Sequence, residues 1–174
     1  MDANTLETIA VYLPEGCARP DATALTAFWN DAKRSLPSLT GDDYQVRWIG
    51  LDAESTRQIF DLIRAKDKTG TFTLPWIVER TGQPAPKPGD QIVLIDFDGT
   101  PTMLVRLTEI RRVLFGQVTA VDTAIDGSPV RDLAVWKPLH NQYWGALLKP
   151  FGLQVSDDMP FWAEPFELLF DTTR

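Results

Sequence analysis

The sequence predicts an α+β fold, a mixed curled sheet or small β-barrel flanked by helices. Three observations carry this. Period-two strand patterns crowd the middle of the chain and return at its C-terminal end. Amphipathic helical patterns lie before, between and after them. An Asp98-Gly99 dipeptide between two apolar runs marks a hairpin.

The elements follow in order. Leu25, Phe28, Trp29, Ala32 and Leu36 recur at helical spacing over 21–36, with Asp21 as N-cap. Tyr44, Val46 and Trp48 alternate with Gln45 and Arg47 in a short strand that Gly50 ends. Asp52 caps a second helix whose buried stripe is Ile59, Leu62 and Ile63. Thr69–Leu74 is rich in β-branched residues and reads as a strand. Residues 81–90, with Pro84, Pro86, Pro88, Gly82 and Gly89, read as a loop. The apolar run 91–97 suits a buried strand, and the chain returns over about 102–112. There Leu104, Arg106 and Thr108 point one way and Val105, Leu107 and Glu109 the other. After a turn at Asp126-Gly127 comes a helical region with Trp136, Leu139, Tyr143, Trp144, Leu147 and Leu148, which Pro138 is expected to kink or split. Phe166, Leu168 and Phe170 alternate in a closing strand.

The chain has 174 residues, enough for one domain with a real core. The whole of 1–174 is expected to form that domain, with 1–40 a helical extension packed on it. No run approaches the roughly 18 apolar residues of a membrane span, and Met1–Glu15 has the wrong charge for a secretory signal. Cys17 is the one cysteine, so no internal disulfide and no cysteine-based metal site can form. A cytoplasmic location is the expectation. The net charge is −7, the opposite of what a grip on long duplexes needs. Any contact with nucleic acid must then be local, through a small basic patch or a pocket for one base. Six tryptophans supply core and, at one or two positions, a surface on which a base can stack.

Several short motifs stand in a telling order. Ala65-Lys66-Asp67-Lys68-Thr69-Gly70-Thr71 resembles the Gly-Lys-Lys-Thr-x-Thr signature of ASCH proteins. Pro88-Gly89-Asp90 before an apolar strand, Asp98-Gly99-Thr100-Pro101, Thr108-Glu109 followed by Phe115, Trp136-x-x-x-His140 and Phe166-Glu167-Leu168 are similar to later landmarks of that family. Phe28-Trp29 resembles the first helix of its longer bacterial members. The resemblance covers about 26–170 and implies a PUA-like mixed β-barrel with a cleft. It implies work on single-stranded RNA or a nucleoside. With one histidine and no His/Asp/Glu cluster at ligand spacing, no metal or other cofactor is expected. In small members that hydrolyse acylated cytidines, a lysine, a threonine and a glutamate are catalytic; the matching residues here are Lys68, Thr71 and Asp126. Two departures from the pattern are Asp126 where the family has glutamate, and Lys66-Asp67 where a glycine precedes the signature lysine.

Each candidate has a plain reading beside the functional one. Lys68 is a base, a nucleophile or a phosphate partner, or else one more solvated lysine in a charged run. Alternation puts Thr69 and Thr71 on one strand face and Lys68 on the other, unless the turn twists it inward. Asp126 is a proton carrier or a turn residue. His140, the one histidine, shares a helix face with Trp136 and either lines the cleft or is satisfied by a neighbour. Trp76 either closes the cleft or is core. Arg106, Arg111 and Arg112 with Lys66 and Lys68 make a candidate basic patch, or a charged strand edge. Lys66, Thr69, Trp76, Arg106, Glu109, Trp136 and His140 are the expected ligand contacts. Two functions follow. One is a module that holds a base of single-stranded RNA or a nucleoside; the other is a ribonuclease or amidohydrolase using Lys68, Thr71 and Asp126.

Overall fold

A computed structural model describes residues 12–173. The reading of Met1–Glu15 therefore falls largely outside the described residues. Helix α1 (Ala22–Ser35) starts where Asp21 accepts the Ala24 amide at 2.9 Å. It buries Leu25, Phe28, Trp29 and Ala32 against Val46, Val93, Ile95 and Leu104. Strand β1 is Gln45–Trp48. Helix α2 (Ala53–Arg64) opens on a capping box in which Asp52 and Ser55 satisfy each other's amides. Strand β2 (Gly70–Thr73) follows.

Helix α3 (Pro75–Thr81) was not expected from the strand pattern before it. Pro75 at its first position suits a helix start, and Gly82, at a φ of 68°, ends it in the left-handed conformation. Strand β3 (Gln91–Ile95) and strand β4 (Pro101–Leu107) flank the expected Asp98-Gly99 hairpin. The return expected over 102–112 is two strands. The chain leaves the sheet after Leu107 and re-enters it as β5 (Arg111–Leu114), on the other part of the sheet. Within β4 the expected alternation holds: Val105 and Leu107 face one core cluster and Leu104 another.

A short helix α4 (Ala120–Thr123) leads to α5 (Leu133–Leu148). Of the kink or split expected at Pro138, the split does not occur: α5 is one continuous helix. Proline removes one intrahelical hydrogen bond, but Trp136, His140, Trp144 and Leu148, four residues apart, seat the helix on the core cluster around Phe115, Met159 and Phe161. Each such buried side chain contributes roughly 1.5–3 kcal/mol, which outweighs the lost bond.

The last strand, β6 (Pro160–Asp171), organises the sheet. The strand order is β1-β3-β4-β6-β2, with β5 also on β6. Among the described residues only β1 and β3 run parallel. The first part of β6 lies between β2 and β5, and the rest pairs with β4. Pro165 stands at the handover. It lacks an N–H, and its carbonyl accepts from Thr108 while the next amide, of Phe166, donates to Thr69. The sheet curls there into a half-barrel. Strands β1 and β2 end up at the two edges of the order, with an open seam between them.

Candidate functional site

The seam is a cavity of about 230 Å³. Its walls come from β1, β2, α3, α5, the turn at Asp126 and the inner face of β3 and β4. Ile92, Leu94, Val105, Leu107 and Phe166 make an apolar floor. Tyr12, Trp48, Phe72, Tyr143 and Trp144 are aromatic walls. Into this apolar space come two buried ion pairs.

The first pair is Lys68 and Asp126, 2.6 Å apart, with both side chains under a tenth exposed. Helix α2 places the lysine. Lys66 takes a φ of 58°, the left-handed conformation that reverses a helix end. The Leu62 carbonyl then accepts from both Asp67 and Lys68. Lys68 thus precedes the first residue of β2, so strand alternation does not govern it. It turns into the cavity together with Thr71, whereas Thr69 is exposed. Of the two expected placements of Lys68, it is the inward twist of the turn that occurs. Asp126 serves both its readings at once: Oδ1 accepts from the Gly127 amide at 2.9 Å, as turn chemistry requires, and from Lys68. The Lys68 ammonium also lies 5.8 Å from the centre of the Phe72 ring.

The second pair escaped sequence reasoning. Arg47 of β1 donates from Nη1 to Glu164 of β6 at 2.7 Å and from Nη2 to Gln45 at 2.9 Å. The Glu164 side chain is wholly buried and also accepts from the Thr73 hydroxyl of β2. Gln45 in turn donates to Asp90, which Lys87 neutralises. These side chains bridge the two strand edges that no backbone pairing joins. Burial pushes the Glu164 carboxyl up, and Arg47 and Thr73 pull it back part of the way. One signal was available: a lone carboxylate in the apolar run 159–166 has to find a cation.

His140 borders the cavity on α5. Its ring stacks on Trp136 at 4.0 Å between centroids and meets Phe72 edge-on. Nδ1 lies 2.9 Å from the Trp136 carbonyl, which can only accept. The proton therefore sits on Nδ1, and Nε2 is a lone-pair acceptor. Burial drives its pKa from 6.5 down to about 4, so the ring is neutral. Trp136 is fully buried behind His140. Tyr143 is pushed up to about 12, again by burial, and keeps its proton.

The remaining expected contacts stand elsewhere. Trp76 packs against the core cluster under α5, while its neighbours Ile77 and Val78 reach the cavity. Lys66 is exposed. The basic patch does not assemble at the cavity. Arg106 is exposed and paired with Glu167 at 2.6 Å, and Arg111 has Glu109 and Asp122 as partners at 3.5 and 3.4 Å. Glu109 is exposed beside it. Among the described residues no group of three or more His, Cys, Asp or Glu side chains gathers to hold a metal, and no helix is long and apolar enough to cross a membrane.

The model of the ASCH domain matches residues 47–170, from Arg47 in β1 nearly to the end of β6. The chain belongs to the ASCH domain family. This family has a PUA-like fold and is generally linked to RNA binding. Two solved structures share the fold of this ASCH domain. A protein from Enterococcus faecalis V583 is 22% identical with a TM-score of 0.76, the match covering 87% of this chain and 90% of that one. An ASCH domain from Lactobacillus crispatus JV V101 is 19% identical with a TM-score of 0.74, covering 89% of this chain and 97% of that one. No curated protein matches the sequence.

Proposed function

We propose that this ASCH domain is a binding module that holds one nucleobase or nucleoside, free or presented by single-stranded RNA, in the seam between β1 and β2. One observation carries the reading. Five aromatic side chains, the buried Lys68–Asp126 pair and Arg47, which is paired with the buried Glu164, line a single small cavity. Pockets for drug-sized ligands run roughly 300–1,000 Å³; at about 230 Å³ this one suits a single base or nucleoside. The aromatic walls offer π-faces for stacking. Lys68, Arg47 and Thr71 offer donors, and Asp126 and the His140 Nε2 offer acceptors, which is the mixture a base edge requires.

A second reading, hydrolysis, is favoured by the meeting of Lys68, Thr71 and Asp126 at that cavity. In this reading Lys68 stabilises developing negative charge, Asp126 moves protons and Thr71 orients water on an amide of a modified pyrimidine. The test separates the two. The protein and a Lys68→Ala variant are titrated with short single-stranded RNAs and N4-acylated cytidines while product is followed. Binding without product supports the module. Product that disappears in the variant supports the hydrolase. Neither binding nor product refutes both.

A further inference from the structure

The cavity carries an electrical balance that bears on its ligand. Each cation at its wall has its own carboxylate: Lys68 has Asp126 at 2.6 Å and Arg47 has Glu164 at 2.7 Å. Glu164 receives donors from both Arg47 and Thr73, the arrangement a carboxylate needs. The other titratable groups at the wall, Tyr12, His140 and Tyr143, are neutral. Among the described residues at the wall no cation is left over for a ligand's negative charge, and the chain as a whole is at −7. An anion entering this apolar space would lose its hydration without gaining a counter-charge, which costs several kcal/mol.

Pairing does not silence Arg47. Its guanidinium bonds Glu164 through Nη1 and Gln45 through Nη2, and a guanidinium has further N–H groups to give. With Gln45 fixed by Asp90, the group is held in one orientation. It is a positioned donor whose charge is already balanced, suited to a neutral carbonyl and ill suited to a phosphate.

We infer that the cavity selects an uncharged ligand, a free base or nucleoside whose carbonyl oxygen accepts from Arg47, over its phosphorylated form. This rests on the nucleoside reading above and narrows it. A base presented by RNA would enter with its phosphates left outside, whereas a nucleotide whose phosphate must enter is rejected.

The experiment is a calorimetric titration of the full chain with uridine, cytidine and their 5′-monophosphates. Each is measured at about 50 and about 200 mM salt, a range over which ionic screening weakens a contact between a phosphate and a cation. At least one nucleoside is expected to bind about tenfold or more tightly than its monophosphate, with no change across the salt range. Glu164→Gln, which leaves the Arg47 charge unbalanced, is expected to narrow that preference and to make monophosphate binding salt-sensitive. A monophosphate that binds the unaltered protein as tightly as its nucleoside overturns the inference and leaves the nucleoside reading standing. If neither form binds, both fall. The comparison in the unaltered protein decides the matter even where the variant does not fold.

Discussion

Lys68 and Asp126, 58 positions apart in sequence, meet at 2.6 Å inside the protein, the lysine from the end of α2 and the aspartate from the turn after α4. Short as its side chain is, the aspartate reaches the lysine. The same Asp126 oxygen accepts from the Gly127 amide.

A buried pair is costly to half-remove. Lys68→Ala leaves Asp126 charged in an apolar wall, and Asp126→Ala does the same to Lys68. Each single variant is expected to lose about 3–5 kcal/mol of unfolding free energy. Lys68→Ala combined with Asp126→Ala should lose clearly less than the sum, since no orphaned charge remains. Urea unfolding of the four proteins checks this. Additive losses would mean that the pair is not coupled.

Arg106 supplies the contrast. Its pair with Glu167 is about half exposed on both sides and lies outside the cavity. Exposed pairs contribute between nothing and about 1 kcal/mol. Arg106→Ala should therefore shift stability by under about 1 kcal/mol and leave nucleoside affinity unchanged. A loss of nucleoside binding in this variant would move the site to the β4 edge.

Much of this was legible in the sequence, for reasons that are local. Asp21 and Asp52 cap helices because an acceptor before an apolar stripe has one natural use. Asp98-Gly99 turns because glycine tolerates its φ of 81° there. Lys68, Thr71 and Asp126 were found through a motif, and the cavity gathers them. What stayed hidden depends on distant partners. Arg47 and Glu164 are 117 positions apart, and no local pattern announces their bond. Whether Lys68 turned inward depended on Lys66 adopting a left-handed conformation, which lysine seldom does. That the basic patch does not gather at the cavity has a related reason. Arg106 and Arg111 meet carboxylates, and for Arg106 the partner, Glu167, lies across a strand pair that sequence spacing could not register.

His140 should set part of the acid stability. Its pKa falls from 6.5 to about 4 on folding. Between those values the unfolded chain binds a proton that the folded protein refuses. Stability from this group is complete above about pH 6.5 and is lost as pH falls towards about 4. A shift of this size amounts to roughly 3 kcal/mol. His140→Phe keeps a ring against Trp136 and cannot titrate. The difference in unfolding free energy between the two proteins, followed from pH 7 to 4, should change across that window in the sense that the variant is relatively favoured by acid. A difference that stays constant with pH would show that the imidazole takes up its proton in the folded state.

Gly70 tests how tightly β2 must close on its neighbours. It opens the strand opposite Pro165. A Cβ there would sit 2.5 Å from the Ile125 side chain and 2.9 Å from the Glu164 carbonyl oxygen. Ile125 can turn aside, but the carbonyl belongs to the strand that carries the Arg47 partner. Gly70→Ala should therefore cost about 1–3 kcal/mol of stability, the usual range for overpacking. It should also weaken nucleoside binding, because β2 must move away from β6 and carry Thr71 and Thr73 with it. Gly127→Ala is the control. There the nearest atom is the end of the Leu62 side chain, at 2.6 Å, and the other close atoms are at 3.3 Å. A flexible side chain can yield where a backbone carbonyl cannot, so its loss should be the smaller of the two. The reverse ranking in parallel urea melts and uridine titrations would mean that the Asp126 turn, and not the β2–β6 pairing, holds the cavity in shape.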